Sequence, residues 1–316
     1  MIGGAGGTGP MGVAVGVEVG VEMSASVGVV GLGQIGRGVA GNVLRAGHEL
    51  VVCDVSSEAT LSFAETARVA STPADLAEMV DVVVVAVVDD AQVIDVITGA
   101  DGALSRAPRG TCFLILSTVT AGTVRKMAKE AEALGCEVVD CGVSGGPAAA
   151  AEGQLVAMVG GTEAAVDRVR PVLDAFSSVV IHMGPAGSGL QTKLARNIIQ
   201  YGSWVAAYEG QRLAEAAGIE LSKLALAVRE SDKLIGGSSR LMFRETVEPF
   251  EETANQGLVD AMRAGASLAH KDLRAALELA REVGVMLPMT ELTEELCDSV
   301  FGLGAIPAVF LEEDSK

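Results

Sequence analysis

Residues 27–54 read VGVVGLGQIGRGVAGNVLRAGHELVVCD, and their order decides the fold. An apolar run, Val27 to Val30, stops at Gly31-Leu32-Gly33-Gln34-Ile35-Gly36, after which Val39, Ala40, Val43 and Leu44 recur at helical spacing as far as Gly47. A second apolar run, Leu50 to Cys53, ends at Asp54. The pattern predicts strand, tight turn, helix, strand and acid. The glycines of a dinucleotide site serve separate purposes. Gly31 permits the turn, Gly33 lets backbone approach a pyrophosphate, and Gly36 lets the helix lie close on the strand. The pyrophosphate then rests on the free N–H groups of the helix N-terminus. Asp54 follows Gly31 by 23 residues, about where an acid is needed for the ribose hydroxyls. A ligand-free glycine-rich turn gives the same GxGxxG; the flanking strand, helix and acid in register favour the cofactor. A carboxylate at Asp54 repels an added phosphate, and Val55-Ser56-Ser57 offer no Arg or Lys to neutralise one, so NAD is favoured over NADP.

Composition narrows the rest. Apolar residues make up 49% of the 316 but aromatics only 3%, so the core must be built from Ala, Val and Leu, which suits buried parallel strands under Ala-rich helices. A formal charge of −18 argues against nucleic acid or an anionic membrane as partner. Five cysteines without CxxC spacing read as reduced core thiols of a cytoplasmic protein, and three histidines in no ligand pattern argue against a metal. Residues 1–26 are Gly- and Val-rich with no Lys or Arg, which predicts a flexible tail rather than a signal peptide. The longest later apolar run, Val82 to Val88, is too short to cross a bilayer and predicts a buried strand.

Beyond Asp54 the alternation continues. Helices are expected over 57–67, 73–79, 91–97 and 121–134, and strands over 69–71, 82–88 and 111–116. Strands alternating with helices imply a doubly wound parallel sheet with its site at the strands' carboxyl ends. Short strands over 137–140, 155–159 and 179–182 around a helix over 163–176 extend that sheet. From Leu190 onward only helices are expected, over 190–217, 221–230, 268–283 and 290–301. The prediction is therefore an α/β chain: a Rossmann-type domain over 27–188, then an all-α domain over 189–316 for substrate and oligomerisation, joined by a long helix.

Four stretches carry candidate chemistry. Ser117-Thr118 ends a strand at the sheet's carboxyl edge. Asp140-Cys141-Gly142-Val143-Ser144-Gly145-Gly146-Pro147 ends another, in a turn whose N–H groups can cup a carboxylate. Gly184-x-x-Gly187-x-Gly189-x-x-x-Lys193-x-x-x-Asn197 opens the long helix with Lys193 and Asn197 one turn apart. Ala269-His270-Lys271-Asp272-Leu273 brings a second lysine. Out of context each has a plainer reading: Thr118 beside a helix cap, Ser144 to Gly146 as an ordinary turn, Lys271 paired with Asp272 or Glu278, and His270 and Cys141 as structural residues.

Together the four stretches, in this order and spacing, resemble the β-hydroxyacid dehydrogenase family, whose best-known type is 3-hydroxyisobutyrate dehydrogenase; the resemblance runs from Val27 to about Gly302. It implies that Lys193 is the catalytic acid/base and that Asn197 holds the substrate oxygen. It implies that Ser144, Gly145 and Gly146 receive the substrate carboxylate and that Thr118 contacts the nicotinamide. Lys271 would lie near cofactor and substrate, and Val87, Val88 and Gln92 near the cofactor, although Ala-Val-Val-Asp-Asp departs from the family's Met-Leu-Pro-Thr type of loop. Gly142 stands where the family usually has proline, which predicts a looser turn before the carboxylate site. The expected reaction is hydride transfer between NAD and a small 3-hydroxy acid or its semialdehyde, in a homodimer or homotetramer. Rivals are a semialdehyde or imine reductase, although imine reductases generally lack a lysine at Lys193, and a non-catalytic NAD-binding regulator.

Overall fold

The structure, a computed structural model, describes residues 25–307. Residues 1–24 of the expected tail lie outside this range. Ser26, which the sequence assigns to the tail, opens β1 (Ser26–Val30). The chain forms two compact units, the first ending at Leu194 and the second starting at Ala195.

The first unit continues with α1 (Gln34–Arg45), β2 (Glu49–Cys53), α2 (Ser57–Leu61), β3 (Arg68–Val69), α3 (Pro73–Ala77), β4 (Val82–Val85) and α4 (Asp90–Thr98). After one 3₁₀ turn come β5 (Cys112–Ile115), α5 (Ala121–Ala133), β6 (Glu137–Ser144), α6 (Gly146–Glu152), β7 (Leu155–Gly160), α7 (Glu163–Phe176) and β8 (Ser177–Gly184). One sheet holds all eight strands in the order β3-β2-β1-β4-β5-β6-β7-β8. Alternation along the central strands feeds two cores. Val82 and Val84 join Val39 and Val43 of α1 and Val169 of α7, whereas Val83 and Val85 join Leu76 of α3, Val93 of α4 and Met127 of α5.

Strands β1 to β6 run parallel, and β7 turns antiparallel to β6 before β8 pairs parallel with β7. The sheet is therefore mixed rather than wholly parallel. Only residues 145–154 join β6 to β7, with the seven-residue α6 inside them, too few for a parallel crossover.

Several expected elements end early or break. The strand over 82–88 stops at Val85, because the Ser117 hydroxyl takes the Val87 amide at 2.9 Å and turns the chain out of the ladder. The helix over 57–67 stops at Leu61, where the Ser62 hydroxyl bonds the Ala59 carbonyl and tight turns follow. The last helix, over 290–301, breaks in two at Leu296. Other expected elements are longer: β6 reaches Ser144 because β7 pairs with it to the end, the strand over 179–182 spans Ser177–Gly184, the helix over 221–230 runs on to Ile235, and the helix over 268–283 starts at Gln256.

Helix α8 (Ser188–Ala216) carries both Leu194, the last residue of the first unit, and Ala195, the first of the second. The second unit adds α9 (Leu221–Ile235), α10 (Gln256–Val283), α11 (Pro288–Glu295) and α12 (Cys297–Val300). Within it the buried Glu209 of α8 caps α11, accepting the Met289 and Thr290 amides at 2.8 and 2.9 Å and the Thr290 hydroxyl at 2.7 Å. Burial opposes the charge of Glu209, but these donors outweigh it and hold its carboxyl below the ordinary range. Among the described residues no helix is long and apolar enough to cross a membrane.

Candidate active site

The glycine turn sits at the carboxyl end of β1. Gly31 has φ +93°, and a Cβ there would stand 2.5 Å from the Ala86 carbonyl oxygen, so a side chain is excluded twice over. A Cβ on Gly36 would stand 1.9 Å from the Gly31 oxygen; α1 rests directly on the turn. Gly33 differs, with nothing within 4 Å of its ideal Cβ and an ordinary φ of −61°. Leu32 is buried, Ile35 half-buried and Gln34 exposed.

The start of α1 is open. Its cap residue is Gly33, with no side-chain hydrogen bond and no acid in the first turn. By contrast Ser56, Thr72, Asp89, Thr120 and Thr162 cap α2, α3, α4, α5 and α7 with their own side chains. An uncapped helix N-terminus beside unfilled space at Gly33 fits a dinucleotide pyrophosphate. Asp54 lies alongside, one carboxylate oxygen accepting the Leu32 amide at 2.6 Å and the other the Ser56 amide at 2.7 Å.

The next two strand ends form the neighbouring wall. Val87 is half-buried and Val88 exposed, and the Gln92 side chain accepts the Val88 amide at 3.1 Å, so Gln92 shapes this loop. Of the pair just beyond β5, Ser117 is buried and holds the same loop, whereas Thr118 is exposed.

Ser144 closes β6, and Gly145 and Gly146 follow at φ +132° and +75°, conformations that side chains rarely adopt. Helix α6, which starts there, packs on α1 through Gly38, whose Cβ would meet the Ala150 backbone at 2.7 Å. The Asn42 amide ties the two helices by donating to the Ala150 carbonyl at 2.7 Å.

Lys193 is half-buried on α8, and its Nζ donates to the Val143 carbonyl of β6. Gly142, expected to loosen a turn, is instead a buried strand residue opposite Met158. It serves close approach: a Cβ there would stand 2.5 Å from Lys193 Cβ. Two residues earlier Asp140, 0% exposed, accepts the Gly187 and Leu190 amides at 2.6 and 2.8 Å. Burial pushes its carboxyl above the ordinary range, against the pull of those donors. Asp140 opens the quoted motif, but nothing local in the sequence points it at a helix start 47 residues away.

Asn197 and Lys271 belong to the second unit. Asn197 follows Lys193 by one turn of α8 and is half-buried. Lys271 is exposed on α10, with Nζ 3.0 Å from Asp272, the surface pairing that its neighbours offered as the plainer reading. His270 beside it lies between Glu294 at 3.0 Å and Asp298 at 3.3 Å, partners distant in sequence. Cys141 is wholly buried, and burial pushes its thiol far up, as befits a packing residue.

Comparison with known proteins adds the family. Residues 26–184 match the NAD binding domain of 6-phosphogluconate dehydrogenase, and residues 187–304 match the NAD-binding domain of NADP-dependent 3-hydroxyisobutyrate dehydrogenase. An uncharacterized oxidoreductase of Mycobacterium tuberculosis is 40% identical over 84% of this chain and 90% of its own. The 2-hydroxy-3-oxopropionate reductase of Escherichia coli is 30% identical over 85% of this chain and 89% of its own. A crystal structure of a putative oxidoreductase from Mycobacterium avium superposes with a TM-score of 0.81 at 35% identity, over 89% of this chain and 100% of that one. The chain belongs to the β-hydroxyacid dehydrogenase family, NAD(P)-dependent oxidoreductases that act on CH–OH groups.

Proposed function

We propose that the protein oxidises a small 3-hydroxy acid, or reduces the corresponding semialdehyde, with NAD as the preferred cofactor and Lys193 as general acid/base. The observation that carries this reading is the seat of Lys193, whose Nζ is aimed along β6 at the Val143 carbonyl, next to Ser144. When bound, the nicotinamide supplies the hydride acceptor or donor. The open start of α1 holds the pyrophosphate on its N–H groups, with Gly31, Leu32, Gly33, Gln34, Ile35 and Gly36 forming the wall. Asp54 takes the ribose hydroxyls, and its charge disfavours the added phosphate of NADP. Val87, Val88, Gln92 and Thr118 line the same edge of the sheet. Ser144, Gly145 and Gly146 bind the substrate carboxylate through hydroxyl and backbone N–H groups. Lys193 takes the hydroxyl proton during oxidation and returns it during reduction. Asn197 as the partner of the substrate oxygen, and Lys271 near the cofactor, rest on the family resemblance.

The test is a panel of 3-hydroxy acids and semialdehydes assayed with NAD and NADP in parallel. Turnover of one acid or its semialdehyde, faster with NAD, supports the reading; turnover only of imines rejects it.

The same reading includes a homodimer or homotetramer built on the second unit. The chain's one tryptophan and both tyrosines, Trp204, Tyr201 and Tyr208, recur with Ile198 and Val205 at helical spacing on α8, and all five are exposed. A stripe of large aromatics left to water is the composition of an interface core. The five free, buried cysteines suit the reducing cytoplasm.

A further inference from the structure

Alternate residues of a strand share a side, so the face of β6 that carries Ser144 also carries Asp140 and Gly142. Each of the two engages the start of α8. The Asp140 carboxylate accepts the amides of Gly187, just before α8, and of Leu190, in its first turn, and so does from a distant strand what a cap residue does locally. Gly142 lets the helix settle on the strand: an added Cβ would stand 2.5 Å from Lys193 Cβ and 2.9 Å from the Gly189 carbonyl. Gly189 is in turn pressed on the sheet, its own ideal Cβ 2.3 Å from the Met158 carbonyl. Between these fixed points Lys193 Nζ reaches the Val143 carbonyl. Mere packing does not call for this arrangement, because burying a carboxylate costs more than burying an apolar side chain of the same size. What it provides is a helix start that can neither slide nor lift.

We infer that Asp140 and Gly142 are positioning residues for Lys193, fixing where its amino group lies along β6 relative to Ser144. The inference rests on the acid/base role proposed above for Lys193. Any side chain at 142 must part strand and helix by roughly 1 Å to restore ordinary contact distances. Removing a carboxylate oxygen at 140 frees one of the two amides that Asp140 holds.

The test uses the full chain with Gly142→Ala, Asp140→Asn and Lys193→Ala. Steady-state rates, the KM for cofactor, thermal stability and the pH–rate profile are measured for each. In the oxidising direction a lysine base gives a limb on which the rate falls as pH drops, and this limb is absent in Lys193→Ala. For Gly142→Ala and Asp140→Asn the expected result is a kcat lowered about 10- to 100-fold, with that limb displaced. The KM for cofactor stays unchanged, because the glycine turn is built on β1, α1 and β2. A Gly142→Ala enzyme with wild-type kcat and limb overturns the inference while a dead Lys193→Ala keeps the acid/base reading. An active Lys193→Ala overturns both. Should Asp140→Asn not fold, amide exchange in the wild type decides its part. Gly187 and Leu190 amides protected at the start of α8 support the clamp; exchange as fast as in an open loop overturns it.

Discussion

Asp54 accepts the Leu32 amide at 2.6 Å, so the acid that closes the first βαβ unit is bonded to the turn beside which the cofactor is proposed to lie. Its second oxygen holds Ser56, which leaves the carboxylate fixed rather than free to swing away. A fixed negative charge discriminates against a phosphate better than a mobile one, because moving aside would break two hydrogen bonds. Asp54→Ala is expected to lower kcat/KM for NAD and raise it for NADP, narrowing the preference by about 10-fold or more, on the order of one charge–charge contact near a surface. Parallel assays with the two cofactors check it, and an unchanged ratio contradicts it.

Gly33 and Gly36 separate binding from folding. A methyl on Gly36 would collide with the Gly31 oxygen, so Gly36→Ala is expected to destabilise the first unit by several kcal/mol, on the order of an overpacked core position. Gly33→Ala meets nothing within 4 Å, at a φ that alanine adopts freely, so it should fold with an unchanged melting temperature. Its methyl nevertheless occupies the space proposed for the pyrophosphate. Cofactor affinity should fall about 10-fold or more, the cost of a lost charged hydrogen bond. Calorimetry for stability and fluorescence titration for binding would show the two effects apart.

Glu209 gives the second unit a pH dependence of known sign. Its folded-state carboxyl lies below the ordinary range, so its stabilisation is present at neutral pH and is lost as pH falls through that lowered value. Glu209→Ala leaves the Met289 and Thr290 amides without their acceptor and should cost about 1–3 kcal/mol at neutral pH. The difference from wild type should shrink in acid. Thermal melts of both proteins across that range check it, and a pH-independent difference would contradict it.

These sites differ in how far the sequence alone discloses them. The unit over residues 27–54 is legible because its signals are local: apolar runs of strand length, glycines where backbone must turn, and an acid in register. Helix α7 is legible for the same reason, with Thr162 as its cap and six buried residues at helical spacing. The end of β4 is not, because Val87 and Val88 are as apolar as the strand before them and only the Ser117 hydroxyl, thirty residues on, diverts them. The start of α10 is hidden by Gly257 and Gly265. Gly265 belongs in the helix because Phe301 packs against it, its ring 2.7 Å from where a Cβ would lie. Gly142 shows the same limit at the candidate site. Its departure from the usual proline is visible in the sequence, but its purpose appears only once Lys193 is seen on the other side.

The central claim is that Lys193 moves the proton. The most direct measurement is the rate of reduced-cofactor formation from the accepted 3-hydroxy acid by wild type and Lys193→Ala, with cofactor affinity determined for both. The account predicts a rate at least about 100-fold lower in the variant, the usual contribution of a general acid/base, with cofactor affinity retained. A variant that turns over the same acid at the wild-type rate would contradict it.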